Sequence, residues 1–590
     1  MFRIDGNKRS AAFPLMVAVV ALLVFATASF AQGYRYKSDQ AWAFGVHGDT
    51  QWTLVRNAAN PNYVAGSILV QVDEALKSHN PKFVFALGDL SDRSRPGALV
   101  DRANFAKSLT DNGIGFFPMR GNHESYIWLY NYGPIEQAVQ EFRDNFPQTI
   151  GGGDAPSWGA ANFSSPMILD GLPNDDLDGL SYSFDFGSDA RFVVLDTQIT
   201  SCITQELQLG STLYKWWPVS CTGYVIPSQQ DWISDRLNKE MRPTHAFVLS
   251  HQPPMAQEHT DTPFSFFDPP NYNENGAQDN FYASMYNNDV KYYIGAHDHI
   301  YQRSLLKSPD GNSEITEIIA SGLSTKFYEP APIPYPSADG TVPDQWYGVK
   351  ERETSLAQEL HNIGYYVYTV DGPRVDVEYF SDAMGDFQSD SSYPHGASNP
   401  DFPAGITPTL SFVKRDNYGY SLNGQQFLVA QGESYEIVQD RFRGTTAKIL
   451  AGSNESTAVD GNDRPFVKAV NTGWVSKTVD THKLNSDILS LWGMADFDTV
   501  QTDVYVLSMT HDFRGDVRKG RAAIGALNAD GEWVNAVDLN IGVSTKNYVY
   551  GPYEPEYGLG TYGIDPKAKT AWAVLDYNAD FAVVDLVAKK

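Results

Sequence analysis

The first part of the chain alternates short apolar runs with segments of helical spacing. The apolar runs have the length of buried strands and end in polar residues; they cover 41–49, 83–87 and 115–119. Between them, residues 62–79 repeat apolar side chains at helical spacing, and a second helix is predicted over 96–112, with a proline near its first turn. This alternation predicts α/β architecture with polar residues gathered at the carboxyl ends of the strands.

The pattern changes after residue 380. Up to that point it predicts a hairpin, a helix and further strands, at 182–186, 191–195, 227–241, 245–249, 291–294, 301–306, 315–320, 363–370 and 374–380. Segments 151–180 and 255–280 are rich in Gly, Pro, Asn and Asp and are predicted to be long surface loops. Residues 381–407 are typical of a linker, and 408–590 carry strand-like runs between turn signals, which predicts a second, β-rich domain of unknown role.

The N-terminus has the layout of a secretory signal peptide. Three basic residues precede an apolar run from Ala11 to about Phe25, and Ser29 and Ala31 are small residues of the kind signal peptidase recognises. We expect a signal peptide over 1–31 and a periplasmic or secreted protein with no membrane span after cleavage. The alternative is an uncleaved membrane anchor, for which the apolar run is short.

The net charge of the chain limits the kinds of molecule that it can bind. The chain of 590 residues carries a formal charge of −27, which argues against nonspecific binding to nucleic acid or to anionic lipid. The same charge opposes a phosphate-bearing substrate unless bound cations reverse the field locally. Cys202 and Cys221 are the two cysteines, and in an oxidising compartment they most simply form a disulfide; a metal-binding or redox thiol pair is the alternative.

Five polar signatures follow predicted strands in order. They are Gly48-Asp49-Thr50-Gln51, Gly88-Asp89-Leu90-Ser91-Asp92-Arg93, Gly121-Asn122-His123-Glu124, His251 and His297-Asp298-His299. Each one alone is typical of a hydrogen-bonded structural residue or cap. Together they bring carboxylates, an amide and histidines to one edge of a sheet. This is the oxygen and nitrogen ligand set of a dinuclear site for Zn, Fe or Mn.

The five signatures resemble those of the calcineurin-like metallophosphoesterase superfamily over about residues 40–380. Residues 295–303 look closest to the bacterial purple-acid-phosphatase-like branch. The resemblance implies a four-layer α/β (α+β) sandwich of β-sheets flanked by helices, with a catalytic domain over 34–380, a linker over 381–407 and the β-rich domain over 408–590. It further implies a cofactor of two divalent or trivalent ions of Fe, Zn or Mn.

The resemblance also implies which residues hold the metals. Asp89 would bridge the two ions. Asp49 and His299, with Gln51 as a further candidate, would complete one site, and Asn122, His251 and His297 would complete the other.

Three positions depart from the family pattern. Ala296 stands between the glycine and the first histidine of the last signature, and Gln51 stands where many members have histidine. An amide oxygen binds a hard cation more weakly, so one metal is expected to be held less tightly. Asp92 replaces the tyrosine of purple acid phosphatases, so no tyrosinate ligand is expected; Asp92-Arg93 is similar to the Asp-Arg of the Ser/Thr phosphatase branch.

Catalytic roles follow from the same resemblance. His123 is the candidate general acid, oriented by the carboxylate of Asp92. Arg93 or Arg303 would hold the phosphate in a fork, or form a structural salt bridge. His47 is a candidate substrate contact, although a packed strand histidine fits equally well.

The function expected from these roles is an exported phosphatase. It would hydrolyse small phosphate monoesters by attack of a metal-bridging hydroxide. One alternative is a phosphodiesterase or nucleotidase acting on nucleotides or lipid headgroups, since the same core serves both and the aromatic-rich loops could stack a ring. An alternative of another class is an envelope binding protein with a vestigial core. Residues 174–185 are also similar to a calcium-binding loop. The sequence does not determine the oligomeric state.

Overall fold

A computed structural model describes the chain between residues 37 and 587, with gaps. The gaps fall at 94, 126–132, 152–155, 168–176, 260–262, 265–275, 331–351, 384–386, 388–396, 399–406, 408, 424–425, 429–433, 437–444, 453–454, 460–464, 468, 476–482 and 493–500. The predicted signal peptide lies outside the described residues. No helix in the described part of the chain is long and apolar enough to cross a membrane.

Three of the helices, at 66–78, 98–110 and 226–237, lie close to the predicted positions; the helix at 135–145 was not predicted, and the helix at 277–286 begins inside a segment predicted to be a surface loop. Within the described residues the helices are α1 (Gly66–Ser78), α2 (Ala98–Thr110), α3 (Ile135–Asn145), α4 (Ile226–Leu237) and α5 (Ala277–Tyr286). Helix α1 begins four residues after the predicted start, because residues 61–63 form a 3₁₀ turn with proline in its first position.

The strands of this part of the chain are mostly short. They are β1 (Trp42–His47), β2 (Phe83–Ala86), β3 (Gly115–Pro118), β4 (Ala160–Ser164), β5 (Tyr182–Phe186), β6 (Ala190–Leu195), β7 (Ile199–Leu209), β8 (Thr212–Gly223), β9 (His245–Ser250), β10 (Tyr292–Gly295), β11 (Tyr301–Lys307), β12 (Glu314–Ile319), β13 (Lys326–Phe327), β14 (Glu353–Glu359), β15 (Gly364–Asp371), β16 (Arg374–Asp382), β17 (Ala397–Ser398) and β18 (Phe412–Ser421).

Two mixed sheets contain most of these strands. The first has the order β18-β16-β15-β1-β2-β3, with β1, β2 and β3 parallel and the remaining pairs antiparallel. The second has the order β14-β11-β12-β10-β9-β6-β5-β4, with β6, β9, β10 and β12 parallel. All five strands that lead into the polar signatures, β1, β2, β3, β9 and β10, belong to these parallel groups.

An aromatic core fills the space between the two sheets. The Phe44 ring contacts Phe192 and Phe247 of the second sheet, with ring centroids 5.0 and 5.1 Å apart, and stacks on Tyr368 of its own sheet at 4.7 Å. Helices α1, α2 and α3 cover the outer face of the first sheet, and α4 and α5 cover the outer face of the second. Each fully buried large apolar side chain contributes about 1.5–3 kcal/mol. The predicted four-layer sandwich is confirmed.

Strands β7 and β8 form a long hairpin beside this sandwich. Their register places Cys202 opposite Cys221, and the two are disulfide-bonded, as predicted. The base of the hairpin is tied to α3, because Ser201 Oγ and the main-chain N–H of Cys202 both donate to the Glu136 carboxylate, at 2.5 and 3.1 Å.

The remaining strands form a β-rich C-terminal region, as the turn-and-strand pattern predicts. They are β19 (Gln426–Leu428), β20 (Ser434–Glu436), β21 (Thr446–Ala451), β22 (Glu455–Val459), β23 (Pro465–Val467), β24 (Ala469–Trp474), β25 (Leu489–Trp492), β26 (Gln501–Thr510), β27 (Ala522–Leu527), β28 (Trp533–Asn535), β29 (Asn547–Tyr550), β30 (Thr561–Asp565), β31 (Thr570–Tyr577) and β32 (Asp580–Asp585). Two six-stranded sheets, β19-β24-β25-β32-β27-β28 and β20-β21-β26-β31-β30-β29, share one buried core.

The boundary between the two regions is less simple than the linker pattern suggests. Strand β18 follows the predicted linker, yet it pairs with β16 and forms the edge of the first sheet. The predicted linker itself contributes β17, which pairs with β13. The domain limits at 380 and 408 stay a prediction.

Candidate metal centre

The five signatures meet at one edge of the two sheets. The first three follow β1, β2 and β3 of the first sheet, and the other two follow β9 and β10 of the second. Main-chain hydrogen bonds join these loops: Thr50 N–H donates to Asp89 O at 2.9 Å, and Ala296 N–H donates to His251 O at 2.9 Å. Because parallel strands deliver their carboxyl ends to the same edge, the loops place their side chains in one cluster.

Asp89, His251, Asn122 and His297 form one side of the cluster. His251 Nε2 lies 3.0 Å from Asn122 Oδ1, 3.1 Å from His297 Nδ1 and 3.4 Å from Asp89 Oδ1. The other ring nitrogen, Nδ1, donates to the main-chain oxygen of Leu87 at 2.7 Å. That bond directs Nε2 into the cluster, which is how a second hydrogen bond orients a metal-binding imidazole.

Asp49, Asp89 and His299 form the other side. His299 Nε2 lies 3.4 Å from Asp49 Oδ1, and its Nδ1 donates to Lys326 O at 2.6 Å. Asp49 and His299 are both buried, and Asp49 Oδ1 accepts no hydrogen bond from the described residues. Asp89 contributes to both sides, which is the position that a bridging carboxylate needs.

Gln51 lies against the shared carboxylate. Its Nε2 donates to Asp89 Oδ2 at 3.0 Å, while its buried Oε1 has no hydrogen-bond partner among the described residues. In this orientation the side chain holds Asp89 by its amide nitrogen. A ligand role would require the amide to turn so that its oxygen faces the carboxylates.

Backbone strain is concentrated in this cluster. Asp89, His297 and His299 have φ values of 46°, 72° and 52°, in the left-handed region that costs a non-glycine residue about 1–3 kcal/mol. Two glycines make the approach of the loops possible: a Cβ on Gly121 would lie 2.1 Å from Asp89 Oδ1, and one on Gly88 would lie 2.7 Å from His251 Nδ1.

The carboxylates of the cluster stay ionised in spite of their burial. Burial raises the pKa of Asp49, but the neighbouring His299, His251 and His297 outweigh it, so the pKa lies below its ordinary value. The pKa of Asp89 is lowered in the same way, since His251 and His123 outweigh its burial. Two buried carboxylates surrounded by imidazole nitrogens and an amide oxygen fit hard or borderline cations such as Zn, Fe or Mn.

His123 lies at the border of the cluster, with 14% of its side chain exposed. Its main-chain N–H donates to Asp89 Oδ1 at 2.9 Å, its Nδ1 donates to the main-chain oxygen of Asp92 at 2.6 Å, and its Nε2 lies 3.8 Å from Asp89 Oδ2. Asp92 therefore contacts the imidazole through its peptide oxygen, whereas the sequence predicts a contact through its carboxylate.

Arg93 is half-buried and follows Asp92 in the chain. Its guanidinium packs over the Tyr63 ring at 4.6 Å from the centroid, its Nε lies 3.5 Å from Asp92 Oδ2, and 38% of its side chain is exposed. Arg93 is therefore partly open to solvent, and it directly follows Asp92, whose main-chain oxygen accepts from His123.

Two other predicted substrate contacts are placed elsewhere. His47 is fully buried; its Nδ1 donates to Gly48 O at 3.0 Å and its Nε2 accepts from Arg102 at 3.3 Å, and burial lowers its pKa to about 3. Arg303 is buried against Asp416 of β18, with Nη2 3.0 Å from the carboxylate. These contacts are those of the packed strand histidine and the structural salt bridge that the sequence leaves open as alternatives, and a substrate role for either residue stays a prediction.

One residue of the calcium-loop pattern, Asp185, is paired with an arginine. Residues 174–176 lie outside the described residues, but Asp185, its twelfth position, forms a two-pronged ion pair with Arg191 at 2.6 and 2.9 Å. That carboxylate belongs to a hairpin strand pair. Of the loop aromatics, Phe264 is buried in the core of the second sheet.

Sequence reasoning assigned no role to Glu124, which holds two of the signature loops together. Its Oε1 accepts from Leu90 N–H at 2.9 Å and Ser91 N–H at 3.4 Å, and its Oε2 accepts from Gly121 N–H at 2.8 Å. Burial, and next the charge of Asp89, raise its pKa well above the ordinary value. The signal was its place in the third signature, directly after His123.

A second unassigned group lies behind the last signature. The buried Asp298 carboxylate accepts from Gln257 N–H at 2.6 Å and from His259 Nδ1 at 2.8 Å, and the His259 ring stacks on His297 with centroids 3.9 Å apart. This arrangement ties the loop after β9 to the histidines after β10. The sequence does not reveal these contacts, because the residues that make them lie about 40 positions apart in the chain.

Residues 47–301 match the family model of the calcineurin-like phosphoesterases. The chain carries a calcineurin-like phosphoesterase domain. For residues 47–301 the predicted family is confirmed, and so is the predicted class, a metal-dependent phosphoric ester hydrolase. The family uses dinuclear metal centres, and the phosphoesterase domain has candidate ligand groups for them in Asp49, Asp89, His251, His297 and His299.

The solved structures to which the chain is similar have low sequence identity to it. "Structure of PhoD" is 12% identical with a TM-score of 0.37, covering 66% of this chain and 71% of that one. GAP50, the anchor in the inner membrane complex of Plasmodium, is 13% identical with a TM-score of 0.30, covering 59% and 86%. Purple acid phosphatase PPD1 from yellow lupin (Lupinus luteus) is 14% identical with a TM-score of 0.33, covering 60% and 53%. No curated protein sequence matches this chain.

Proposed function

We propose that this phosphoesterase is an exported phosphomonoesterase with a dinuclear metal centre. The observation that carries the proposal is a group of ligand atoms beside the shared carboxylate of Asp89. His251 Nε2 lies 3.0 Å from Asn122 Oδ1 and 3.1 Å from His297 Nδ1. The lone pairs of such oxygen and nitrogen atoms repel one another unless a cation or a proton lies between them.

The cluster supplies ligands for two ions. Asp89, Asn122, His251 and His297 would hold one, and Asp49, Asp89 and His299 the other, with Fe, Zn or Mn as candidates. When bound, the ions would polarise a phosphoryl oxygen and lower the pKa of water. They would also offset the local negative charge, so the formal charge of −27 does not exclude a small phosphate ester.

The chain's own residues would handle the leaving group and the substrate. His123 keeps Nδ1 on the Asp92 peptide oxygen, so Nε2 is the atom that would give a proton to the leaving oxygen. Arg93, partly open to solvent, would bind a non-bridging phosphoryl oxygen. A monoester presents more such oxygens than a diester, which suits a site that adds an arginine to the metal ligands.

Metal analysis and two substrates test the proposal. Purified mature protein should contain close to two metal ions per chain and hydrolyse p-nitrophenyl phosphate faster than bis-p-nitrophenyl phosphate. Asp89→Ala should remove both metal and turnover. Asp73→Ala, which removes a buried carboxylate of α1 outside the cluster, is the matched control and should keep both.

Three results would count against the proposal. Less than one metal per chain together with no turnover of either ester would refute the enzyme assignment in this form. A preference for the diester would move the assignment to a phosphodiesterase. Recovery of the chain in the cytoplasm with residues 1–31 intact would refute export.

A further inference from the structure

Tyr328 lies at the metal cluster, on a segment that the sequence signatures do not include. It directly follows β13, which is paired with β17. The main-chain oxygen of the preceding strand residue Lys326 accepts the 2.6 Å hydrogen bond from His299 Nδ1. The same two-residue strand therefore orients a candidate metal ligand and positions Tyr328.

The phenol ring packs on histidines from two different loops. Its centroid lies 5.1 Å from that of His299, at an interplanar angle of 79°, and 4.8 Å from that of His259, at 80°. His259 in turn stacks on His297. Tyr328 thus lies over the turn that presents one candidate ligand to each side of the cluster, His297 and His299.

The hydroxyl is a donor in a region crowded with acceptors. Tyr328 is only 5% exposed, and no hydrogen-bond partner of its hydroxyl occurs within the part of the chain that the structure describes. A phenolic O–H group can donate a hydrogen bond to an anionic oxygen. A hydroxyl that has no acceptor among the described residues is available to donate to an oxygen of a bound ligand.

A cation lies on the same side of the cluster. Lys326 Nζ lies 4.6 Å from the centroid of the Tyr328 ring. The side of the cluster formed by β13 and Tyr328 therefore brings one neutral donor and one positive charge to a site whose other side chains are mostly carboxylates and imidazoles. An anion with several acceptor oxygens suits this combination.

We propose that Tyr328 is a substrate-binding residue whose hydroxyl donates a hydrogen bond to a phosphoryl oxygen. The inference rests on the proposed function for the identity of the substrate, a phosphate ester. It assigns to the metal-ligand cluster a second substrate contact, on the β13 side and separate from Arg93. No covalent step involves Tyr328.

Tyr328→Phe tests the hydroxyl alone, because the ring contacts with His299 and His259 are kept. In metal-loaded full-length protein, the dissociation constant for inorganic phosphate and the KM for p-nitrophenyl phosphate should both rise about ten-fold, the usual loss of one hydrogen bond to a charged acceptor. Metal content and thermal midpoint should stay those of the wild type. Calorimetric titration with inorganic phosphate measures the first quantity without any turnover.

Tyr282→Phe is the matched control. Tyr282 lies on α5, is 2% exposed, and has a buried hydroxyl without a hydrogen-bond partner in the described residues. Its removal should leave phosphate affinity and KM unchanged.

The outcomes separate this inference from the proposed function. Hydrolysis by wild type with unchanged phosphate affinity in Tyr328→Phe overturns the inference and leaves the function standing. Weaker phosphate binding in Tyr328→Phe, in a wild type that binds phosphate without hydrolysing esters, supports the inference while the function fails. Loss of metal in Tyr328→Phe also overturns the inference, since the hydroxyl would then serve the metal ligands; a wild type that binds no phosphate overturns both.

Discussion

At the scale of the residue, the roles of the histidines follow from what holds the ring nitrogens. His251, His299 and His123 each donate through Nδ1 to a main-chain oxygen, which directs Nε2 toward the acidic cluster. His47 and His245 have partners on both nitrogens that belong to packing: a peptide oxygen for each, with Arg102 for His47 and Tyr420 for His245. The same residue type is thus a candidate ligand or acid in one place and a buried structural group in the other.

His123→Ala should separate proton transfer from metal binding. The variant should keep the wild-type metal content, because the candidate ligands are unchanged, and lose about 10²-fold in kcat for p-nitrophenyl phosphate. Metal analysis and steady-state kinetics measure the two effects. His79→Ala, a partly buried histidine next to α1, is the control and should retain full turnover. An unchanged kcat in His123→Ala would show that another group protonates the leaving oxygen.

At the scale of the element, the strand ends are joined by a few buried polar contacts. His245, the first residue of β9, accepts from Tyr420 Oη of β18 through Nδ1, at 2.9 Å, and donates to Gly372 O of the β15–β16 turn through Nε2, at 2.7 Å. It therefore links the second sheet to the far edge of the first. Burial lowers its pKa to about 4, so the ring is neutral in the folded protein at neutral pH.

This link should make stability depend on pH. The unfolded chain takes up the His245 proton near pH 6.5 and the folded chain only near pH 4, so between these values the unfolded state binds more protons. Stability from this group is fully present above pH 6.5 and falls by about 3 kcal/mol as the pH drops to about 4.

Urea unfolding at a series of pH values measures the effect. His245→Gln should show a flatter fall in the free energy of unfolding than the wild type over this range. Tyr420→Phe keeps the imidazole and should keep the wild-type slope. Equal slopes in His245→Gln and the wild type would show that His245 does not titrate on unfolding.

At the scale of the whole molecule, the C-terminal region is fastened to the first sheet by a buried charge. Arg374 of β16 lies 2.7 Å from the Asp580 carboxylate of β32 and donates to Ser490 Oγ at 2.8 Å, and both charged side chains are buried. Trp492 Nε1 donates to Asp376 of the same strand at 3.0 Å. The β-rich region thus shares buried polar contacts with the phosphoesterase domain.

Breaking this pair should destabilise the chain as a whole. Arg374→Ala leaves Asp580 buried without its cation and should cost about 3–5 kcal/mol in the free energy of unfolding. The double variant Arg374→Met with Asp580→Leu removes both charges and should recover most of the loss. Chemical denaturation followed by tryptophan fluorescence measures both. A loss below about 1 kcal/mol in Arg374→Ala would show that the contact is solvated in solution.

The sequence by itself determined the strands and helices that carry the polar signatures and the chemistry at the strand ends, since periodicity and glycine-flanked polar signatures are local properties; it did not reveal the helices at 135–145 and 277–286 or the hairpin of β7 and β8. The candidate ligands Asp49, Asp89, Asn122, His251, His297 and His299 were all found in this way, and the structure brings them together. The sequence showed Glu124 as part of a signature but did not show its function. That function depends on three main-chain N–H donors that come from two different loops.

Only the tertiary structure decided contacts between distant segments. It placed Arg303 against Asp416 and His47 against Arg102, because pairing of β16 with β18 and packing of α2 on the sheet bring partners that spacing cannot reveal. It also placed Tyr328 over His299 through a two-residue strand too short to give a periodic signal. The residue types that can bind a metal are recognisable from short stretches of sequence. The partner of each charged side chain depends on which distant segments the fold brings together.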